Sequence, residues 1–568
     1  MKLTGSHLVC ESLLREGVDV VFGLPGGAIL PLYQTLPEYP QLRHILVRHE
    51  QGAAHAADGY ARVTGKPGVA WATSGPGATN LITGIATAQM DSVPMVIVTG
   101  QVTRSSLGSD AFQETDTTGI TLPITKHNYL VMNASEIPSV IKEAFYIAST
   151  GRPGPVLVDI PKDVLTDQVE YKGEFEYPEF VNLPGYKPNI DGHPAQIKRA
   201  ANLIKQAERP VILAGHGVIF SNTYAEVKEL AEKAQIPVIT TLLGISSFPE
   251  DHVLSVGMPG MHGMAYASLS IEESDLLIAL GMRFDDRITG KVSAFATKSK
   301  KIHVDIDPSE IGKNVTVDVP IVGDLKNVLP KLIDAVEPST HIDWLQRIDR
   351  LKEEHPSMKI RETEKLLPQY IINQIWQATK GKSIIVTGVG QHQMWAAQHY
   401  TYIEPRTFVT SGGSGAMGYE VPGAMGAQVG CPDRLVWSVA GDGGFQMTMA
   451  ELATMVENNI PVKFAIINNN NLGMVRQWQE FFYQRSYVAT CYTNNPDFVK
   501  LAEAFGMLGI RVTDKTQVMP AILAANEYDG PALIDFVVEY DENVYPMIPA
   551  GQTIGDLIEE PIAKEVTQ

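Results

Sequence analysis

The sequence predicts an α/β protein made of three doubly wound parallel-sheet domains. Three observations carry that expectation. Short apolar runs of strand length alternate with helical stretches along most of the chain. These runs repeatedly end in glycine-bearing loops, the pattern of the ligand-binding edge of an open α/β sheet. Two breaks then divide the chain, an aperiodic Pro- and aromatic-rich stretch at 166–190 and a charged, helix-like stretch at 341–367. The expected domains are therefore 1–165, 191–340 and 368–542, joined by a linker at 166–190 and a connector at 341–367. A Pro- and Glu-containing tail, 543–568, is expected to be a mobile arm.

A chain of 568 residues, 44% hydrophobic and 19% charged, has ample core for three or four ordinary domains. The net charge of −19 argues against nucleic acid and an anionic membrane surface as partners. Any anionic cofactor would need local help from a metal, helix N-termini or arginine. Cys10, Cys431 and Cys491 are odd in number and far apart, which predicts reduced thiols in a cytoplasmic protein. The first residues read as an amphipathic helix of the fold rather than a targeting segment. No run reaches the roughly 18 apolar residues of a membrane span.

In the first block, the strand ending at Phe22 runs into GLPGGA, and Ile45–Val47 runs into RHEQG. Gly68–Ala72 leads into TSGPGATN, Met95–Thr99 into Gly100, and Pro155–Ile160 closes the block. Glu50 thus stands at a strand end, ahead of an Ala-rich helix able to pack closely on a neighbour. Alone it reads as a helix-start carboxylate. It is also placed to be a half-buried acid that exchanges a proton with a ring nitrogen. Residues 100–119 form a long polar loop of the kind that is usually functional.

The second block has strands near 211–215, 236–240, 276–280 and 301–306. Gly215-His-Gly217 after the first strand is weak as a dinucleotide signature on its own. GMPGMHG, with His262, adds a loop that could press on a flat ring system, and RFDDRITG places Arg283 and Arg287 at a strand end. Their plain alternative is surface pairing with Asp285 and Asp286.

The third block predicts strands at 383–387, 408–410, 434–440, 462–467 and 533–538, and repeats the rhythm of the first. Its most informative part is the βαβ unit from Arg434 to Asn471. One long helix, 445–458, with Met447, Leu452 and Met455 among its apolar positions, should connect two parallel strands. That crossover brings Asp442 and Asn469 to one sheet edge. A carboxylate, an amide oxygen and a backbone carbonyl make a hard oxygen site suited to Mg²⁺ beside a diphosphate. GDG alone is usually an ordinary turn. GDG followed by NN, each after a strand, is far more specific.

This pair resembles the metal-diphosphate motif of thiamine diphosphate (ThDP) enzymes, and RHEQGAAHAADGYARVTGKPGV resembles the acidic motif of their pyrimidine-binding domain. VFGLPGGAILPLY, TSGPGATNL, GRPGPVLVDIPKDV, GMHG, RFDDRITG, TGVGQHQMWAAQ, SGGSGAMGYE and NNNNLGMVRQWQ extend the likeness over the whole chain. The sequence is identified by them as similar to the acetohydroxyacid synthase (acetolactate synthase) large-subunit family.

That resemblance implies a role for each matching residue. Glu50 would protonate the aminopyrimidine of ThDP, and Met417 would hold its bent shape, with the Gly415 carbonyl on its amino group. Gln391 and His392 would bind the diphosphate, and Asp442, Asn469 and the Asn471 carbonyl the Mg²⁺. Gly390, Gly441, Gly443, Gly444 and Met474 complete that cofactor set. Gly27 and Gln113 would line the reaction cavity, with Lys126 and Arg287 at the substrate channel. Trp478, otherwise an ordinary core aromatic, would favour 2-ketobutyrate as acceptor. Arg152, Gly215, Gly217, His262, Gly281, Arg283, Arg287, Asp305 and Asp324 would bind FAD.

The implied reaction is decarboxylation of pyruvate and condensation of the two-carbon unit with pyruvate or 2-ketobutyrate, the first common step of branched-chain amino-acid synthesis. A homodimer or homotetramer and a possible regulatory small subunit are implied as well. Thr103 stands where many family members carry the proline that contacts sulfonylureas, which implies resistance. A pyruvate-oxidase-type enzyme and an FAD-free catabolic synthase are disfavoured by RFDDRITG and GMVRQWQ. Glyoxylate carboligase lacks the glutamate found here as Glu50. Intact Glu50, Asp442, Asn469 and Met417 speak against an idle homologue, and no clean G-x-G-x-x-G supports a dehydrogenase.

Overall fold

Three six-stranded sheets, parallel throughout, organise the computed structural model, which describes residues 1–560. The N-terminal sheet runs Arg43–Leu46, Val20–Gly23, Gly68–Ala72, Met95–Gln101, Pro155–Pro161, His127–Leu130 in spatial order. The C-terminal sheet runs Phe408–Thr410, Ile384–Thr387, Val436–Gly441, Lys463–Asn468, Ala532–Val537, Leu508–Val512. By chain position within each domain the two orders are the same, which fits the loop rhythm the two blocks share. The middle sheet follows the dinucleotide-binding order: Ser255–Gly257, Val238–Thr240, Pro210–Ala214, Leu276–Leu280, Lys300–Asp305, Val319–Val322.

The central strands of each sheet are wholly buried, as strands covered by helices on both faces must be. Four residues of the 166–190 stretch do more than link. Gln168–Glu170 pairs antiparallel with Lys2–Thr4, and Tyr171 N–H donates to the Met1 carbonyl, closing the N-terminal domain on itself.

The N- and C-terminal domains meet through helix Glu50–Thr64 and helix Glu420–Gly430. Small residues make this contact close. A Cβ on Gly59 would strike the Gly423 carbonyl, and one on Gly426 would strike the Ala56 carbonyl. Alongside, Arg62 pairs with Asp58 at 2.6 Å and Asp91 at 2.7 Å, all three buried. Burial disfavours the Arg62 charge, yet Asp58, Tyr419 and Asp91 hold its guanidinium above its ordinary range.

Two expectations need correction. The predicted helix 445–458 is two helices, Asp442–Thr448 and Glu451–Glu457, and Met447 is 58% exposed rather than inward. The bend between them turns Leu452 and Met455 into the core and leaves Met447 outside it. The expected mobile arm is docked over 543–560, and 561–568 lie outside the described residues. Val544 exchanges two bonds with the Gln477 side chain, and Gln398 donates to the Tyr545 carbonyl. Ile548 N–H donates to the Met261 carbonyl in the central domain. Farther out, Glu559 pairs with His355 and Glu560 with Arg361. Buried Val544, Met547 and Ile548 explain why a tail with little helical or strand period still has a fixed place.

Gly426→Val should lower the thermal unfolding midpoint, with a cost of about 1–3 kcal/mol from forced separation of the two helices. Calorimetry of the variant against wild type checks this; an unchanged midpoint would mean that the helix pair tolerates wider spacing.

Candidate functional site

The parallel pairing of Val436–Gly441 with Lys463–Asn468 brings Gly441 opposite Ile467, so Asp442 and Asn469 follow neighbouring strand ends. Asp442 opens its helix and is buried, and Asn469 and Asn471 are buried beside it. Burial pushes the Asp442 acid up to about 7, against the pull of a 2.7 Å hydrogen bond from Asn495 Nδ2. Asn495 also donates to Asn470 Oδ1 at 3.0 Å and so ties the two turns together. Nothing in the sequence singled out Asn495, because it comes from a loop far along the chain.

The oxygen set suits a hard cation. Asn471 Oδ1 and His392 Nε2 are buried without partners, and Gly441 and Gly443 keep the nearby space free of Cβ atoms. Burial alone pushes the His392 imidazole down to about 3, so it stays neutral. Gln391 is differently placed from expectation. Its Nε2 donates to Gln477 Oε1 and the Glu542 carbonyl, and its Oε1 accepts from Asn469 Nδ2. The side chain therefore steadies Asn469. What remains for a diphosphate is the N–H end of its helix, Gln391–His399, after Gly390 at φ +144°.

A cavity of about 650 Å³ runs between the central and C-terminal domains, with Met90, Asp91, Ser92, Ser149, Arg152 and Pro153 of the N-terminal domain at its side. At one end it is lined by Gly415, Met417, Met474 and Trp478. Gly415 has φ +62°, which favours glycine, and the Arg287 guanidinium stands 6.0 Å from the Trp478 ring centre. Asp91 accepts the Gly412 and Gly413 N–H groups at 3.0 and 2.7 Å and so anchors this loop from the N-terminal domain.

The other end lies at the switch point of the middle sheet, between Pro210–Ala214 and Leu276–Leu280, where open α/β sheets bind ligands. Gly217 N–H donates to the Gly281 carbonyl at 2.9 Å, and a Cβ on Gly215 would strike the same carbonyl. Arg152, His262, Arg283, Asp305 and Asp324 also line the cavity. Arg152 is held by Glu310 at 2.8 Å and Asp307 at 3.2 Å. The expected surface pairs of Arg283 and Arg287 exist but are loose, 3.6 Å each. Burial raises the Asp305 acid to about 6, and its Oδ1 accepts from Asp307 N–H.

Glu50 does not line this cavity. It is 6% exposed, with Oε2 accepting from Asn80 Nδ2 at 2.9 Å. Gly77 lies beside it; Gly27 is exposed, and the Gln113 carbonyl packs on Gly75 of the GPG turn. Lys126 does not line the cavity but lies near Arg152, which does. Its ammonium donates to the Ile147 and Thr150 carbonyls at a helix end and to the Tyr186 hydroxyl, and burial pushes it down to about 8.

Two sheets of identical order flanking a dinucleotide-type sheet, with a carboxylate–amide oxygen site on one and a buried acid on the other, define a thiamine pyrophosphate enzyme. Domain comparison agrees. Residues 3–120 match the N-terminal TPP binding domain of thiamine pyrophosphate enzymes, 197–332 the central domain, and 388–536 the C-terminal TPP binding domain. The acetolactate synthase large subunit of Mycobacterium tuberculosis is 52% identical over 563 residues, 97% of this chain and 90% of that protein. That of Corynebacterium glutamicum is 50% identical over 98% of this chain and 90% of its own length. The probable acetolactate synthase large subunit of Methanocaldococcus jannaschii is 47% identical, over 99% and 96% respectively. The chain belongs to the acetolactate synthase large-subunit family. No helix of the described residues is long and apolar enough to cross a membrane.

Asn495→Ala should weaken Mg²⁺-dependent cofactor binding about 10- to 100-fold, the usual effect of losing an outer-shell partner. Titration of the apoprotein with Mg²⁺ and ThDP measures it, and unchanged affinity would remove Asn495 from the site.

Proposed function

We propose that the protein is an FAD-containing, Mg²⁺- and ThDP-dependent acetohydroxyacid synthase of the cytoplasm. It would convert pyruvate to 2-acetolactate, and pyruvate with 2-ketobutyrate to 2-aceto-2-hydroxybutyrate. The observation that carries this reading is the single cavity with a glycine crevice at one end and Met417, Met474 and Trp478 at the other. Bound ThDP supplies the carbon that takes up the electron pair left by CO₂.

The chain's own residues do the rest. Asp442, Asn469 and the Asn471 carbonyl would hold Mg²⁺, with the helix end after Gly390 and neutral His392 beside the diphosphate. Asn80 would orient Glu50 to give and take a proton at the aminopyrimidine ring nitrogen. Trp478, backed by Arg287, would wall the acceptor pocket. Gly215, Gly217 and Gly281 would let FAD approach the sheet edge closely, and Asp305 would accept its ribose hydroxyls. Because Glu50 lies outside the cavity of its own chain, a complete site would draw Glu50 from a second copy, as a homodimer or homotetramer does. A regulatory small subunit fits the large-subunit naming of the relatives.

Anaerobic incubation with pyruvate, ThDP and Mg²⁺, with and without FAD, is the direct test. Acetolactate that requires FAD, with the flavin left oxidised, is expected. Acetate with bleached flavin would replace the synthase reading by an oxidase. Acetolactate formed equally without FAD would remove FAD from the proposal.

Two variants extend it. Trp478→Leu should lower the preference for 2-ketobutyrate over pyruvate about tenfold in a competition assay, since a pocket discriminates one methylene by roughly 1–3 kcal/mol. Thr103 has φ −60°, a value proline adopts, and its hydroxyl lies 3.0 Å from Ser106 Oγ. Thr103→Pro should fold and gain sulfonylurea inhibition at least tenfold, whereas strong inhibition of wild type would refute the resistance.

A further inference from the structure

Glu50 is not fixed by its own domain alone. Glu451, the first residue of helix Glu451–Glu457 in the C-terminal domain, reaches the loop just ahead of it. Its Oε1 accepts the N–H groups of Arg48 and His49, both at 3.0 Å. Its Oε2 lies 3.1 Å from the Arg48 nitrogen and accepts the Thr454 hydroxyl at 2.7 Å. These two amides belong to the residues immediately before Glu50. Glu451 is 1% exposed, and Gly52 makes the approach possible, because any Cβ there would strike the carboxylate. Among the described residues no cation pairs directly with Glu451. The Arg48 guanidinium turns outward to Glu457 at 2.5 Å. A buried carboxylate satisfied by backbone amides is a costly way to join two domains, since apolar packing would hold them with no charge to desolvate. It does, however, fix a loop's position and orientation through directional, charge-assisted bonds.

We propose that Glu451 is a positioning residue for the Glu50 carboxyl, with Thr454 setting the Glu451 rotamer. The inference rests on Glu50 being the acid that exchanges a proton with the cofactor ring. The helix that opens with Asp442 leads directly into the helix that opens with Glu451. One short segment thus carries a metal-site carboxylate at its start and the anchor of the proton-exchanging acid at its middle. An error of about 1 Å in such a group costs about 10²-fold in rate.

The test measures hydrogen–deuterium exchange at C2 of ThDP in the Mg²⁺-loaded holoenzyme by rapid quench and proton NMR, with ThDP affinity and thermal midpoint recorded in parallel. Glu50→Gln should nearly abolish enzyme-promoted exchange. Glu451→Gln keeps the shape but sets an amide against backbone donors, and should slow exchange about 10- to 100-fold while ThDP affinity stays within about threefold. Thr454→Val should act in the same direction and more weakly, and it decides the matter if Glu451→Gln does not fold. Wild-type exchange in folded Glu451→Gln or Thr454→Val, with Glu50→Gln impaired, would overturn the positioning role. Exchange and affinity falling together would overturn it too, because that is the signature of general structural damage. Wild-type exchange in Glu50→Gln would instead overturn the reading of Glu50 itself.

Discussion

Close packing of helix Glu50–Thr64 on helix Glu420–Gly430 is the constraint on which the rest of the site depends. It is a contact of backbone on backbone, made possible by glycine and alanine where larger side chains would hold the helices apart. The buried Asp58–Arg62–Asp91 cluster lies at its flank and reaches onward to the amides of Gly412 and Gly413. A side chain of the N-terminal domain therefore fixes a loop of the C-terminal domain that ends at Met417. Glu451 makes the reverse connection, from the C-terminal domain to the residues before Glu50. Polar groups in a dry interface are costly unless fully paired, so this one has few arrangements open to it.

The same strand order in the outer two sheets has a geometric consequence. Two copies of one architecture pack on each other through equivalent helices that follow strand ends. One copy carries Glu50, the other Asp442 and Asn469. The middle sheet, of a different order, presents its own switch point to the long cavity. Division of labour among three similar layers is thus a matter of which loop residues each sheet carries, since the layers themselves differ little.

Much of this was legible in the sequence. The central strands were readable because burial on both faces demands unbroken apolar runs. In the six-stranded sheets the strands that escaped notice, His127–Leu130, Ser255–Gly257, Val319–Val322 and Leu508–Val512, are all at sheet edges. Edge strands carry partly exposed residues, such as the whole of His127–Leu130, and so lack that signature. The meeting of Asp442 and Asn469 at neighbouring strand ends was equally legible, because both sit in contiguous motifs. Asn495, Asp91 and Glu451 were not, because each acts on a motif distant in sequence and looks ordinary where it stands. Gln391 was noticed for its motif, but its side chain is spent on Asn469, Gln477 and the Glu542 carbonyl. Lys126 was expected near the channel, yet carbonyls at a helix end satisfy its ammonium. The docking of 543–560 was hidden because it depends on amide side chains of other segments meeting its backbone.

The two ends of that docked segment are held by different forces. Near Val544 the bonds are neutral amide to backbone, inside the protein, where dissolved ions barely reach. Near Glu559 and Glu560 the partners are His355 and Arg361, partly open to water, where ions compete directly. Rising ionic strength would therefore loosen the segment from its outer end first and leave the part against Gln477 seated. The attachment of the segment is in this sense graded, a frayed hem on a sewn seam.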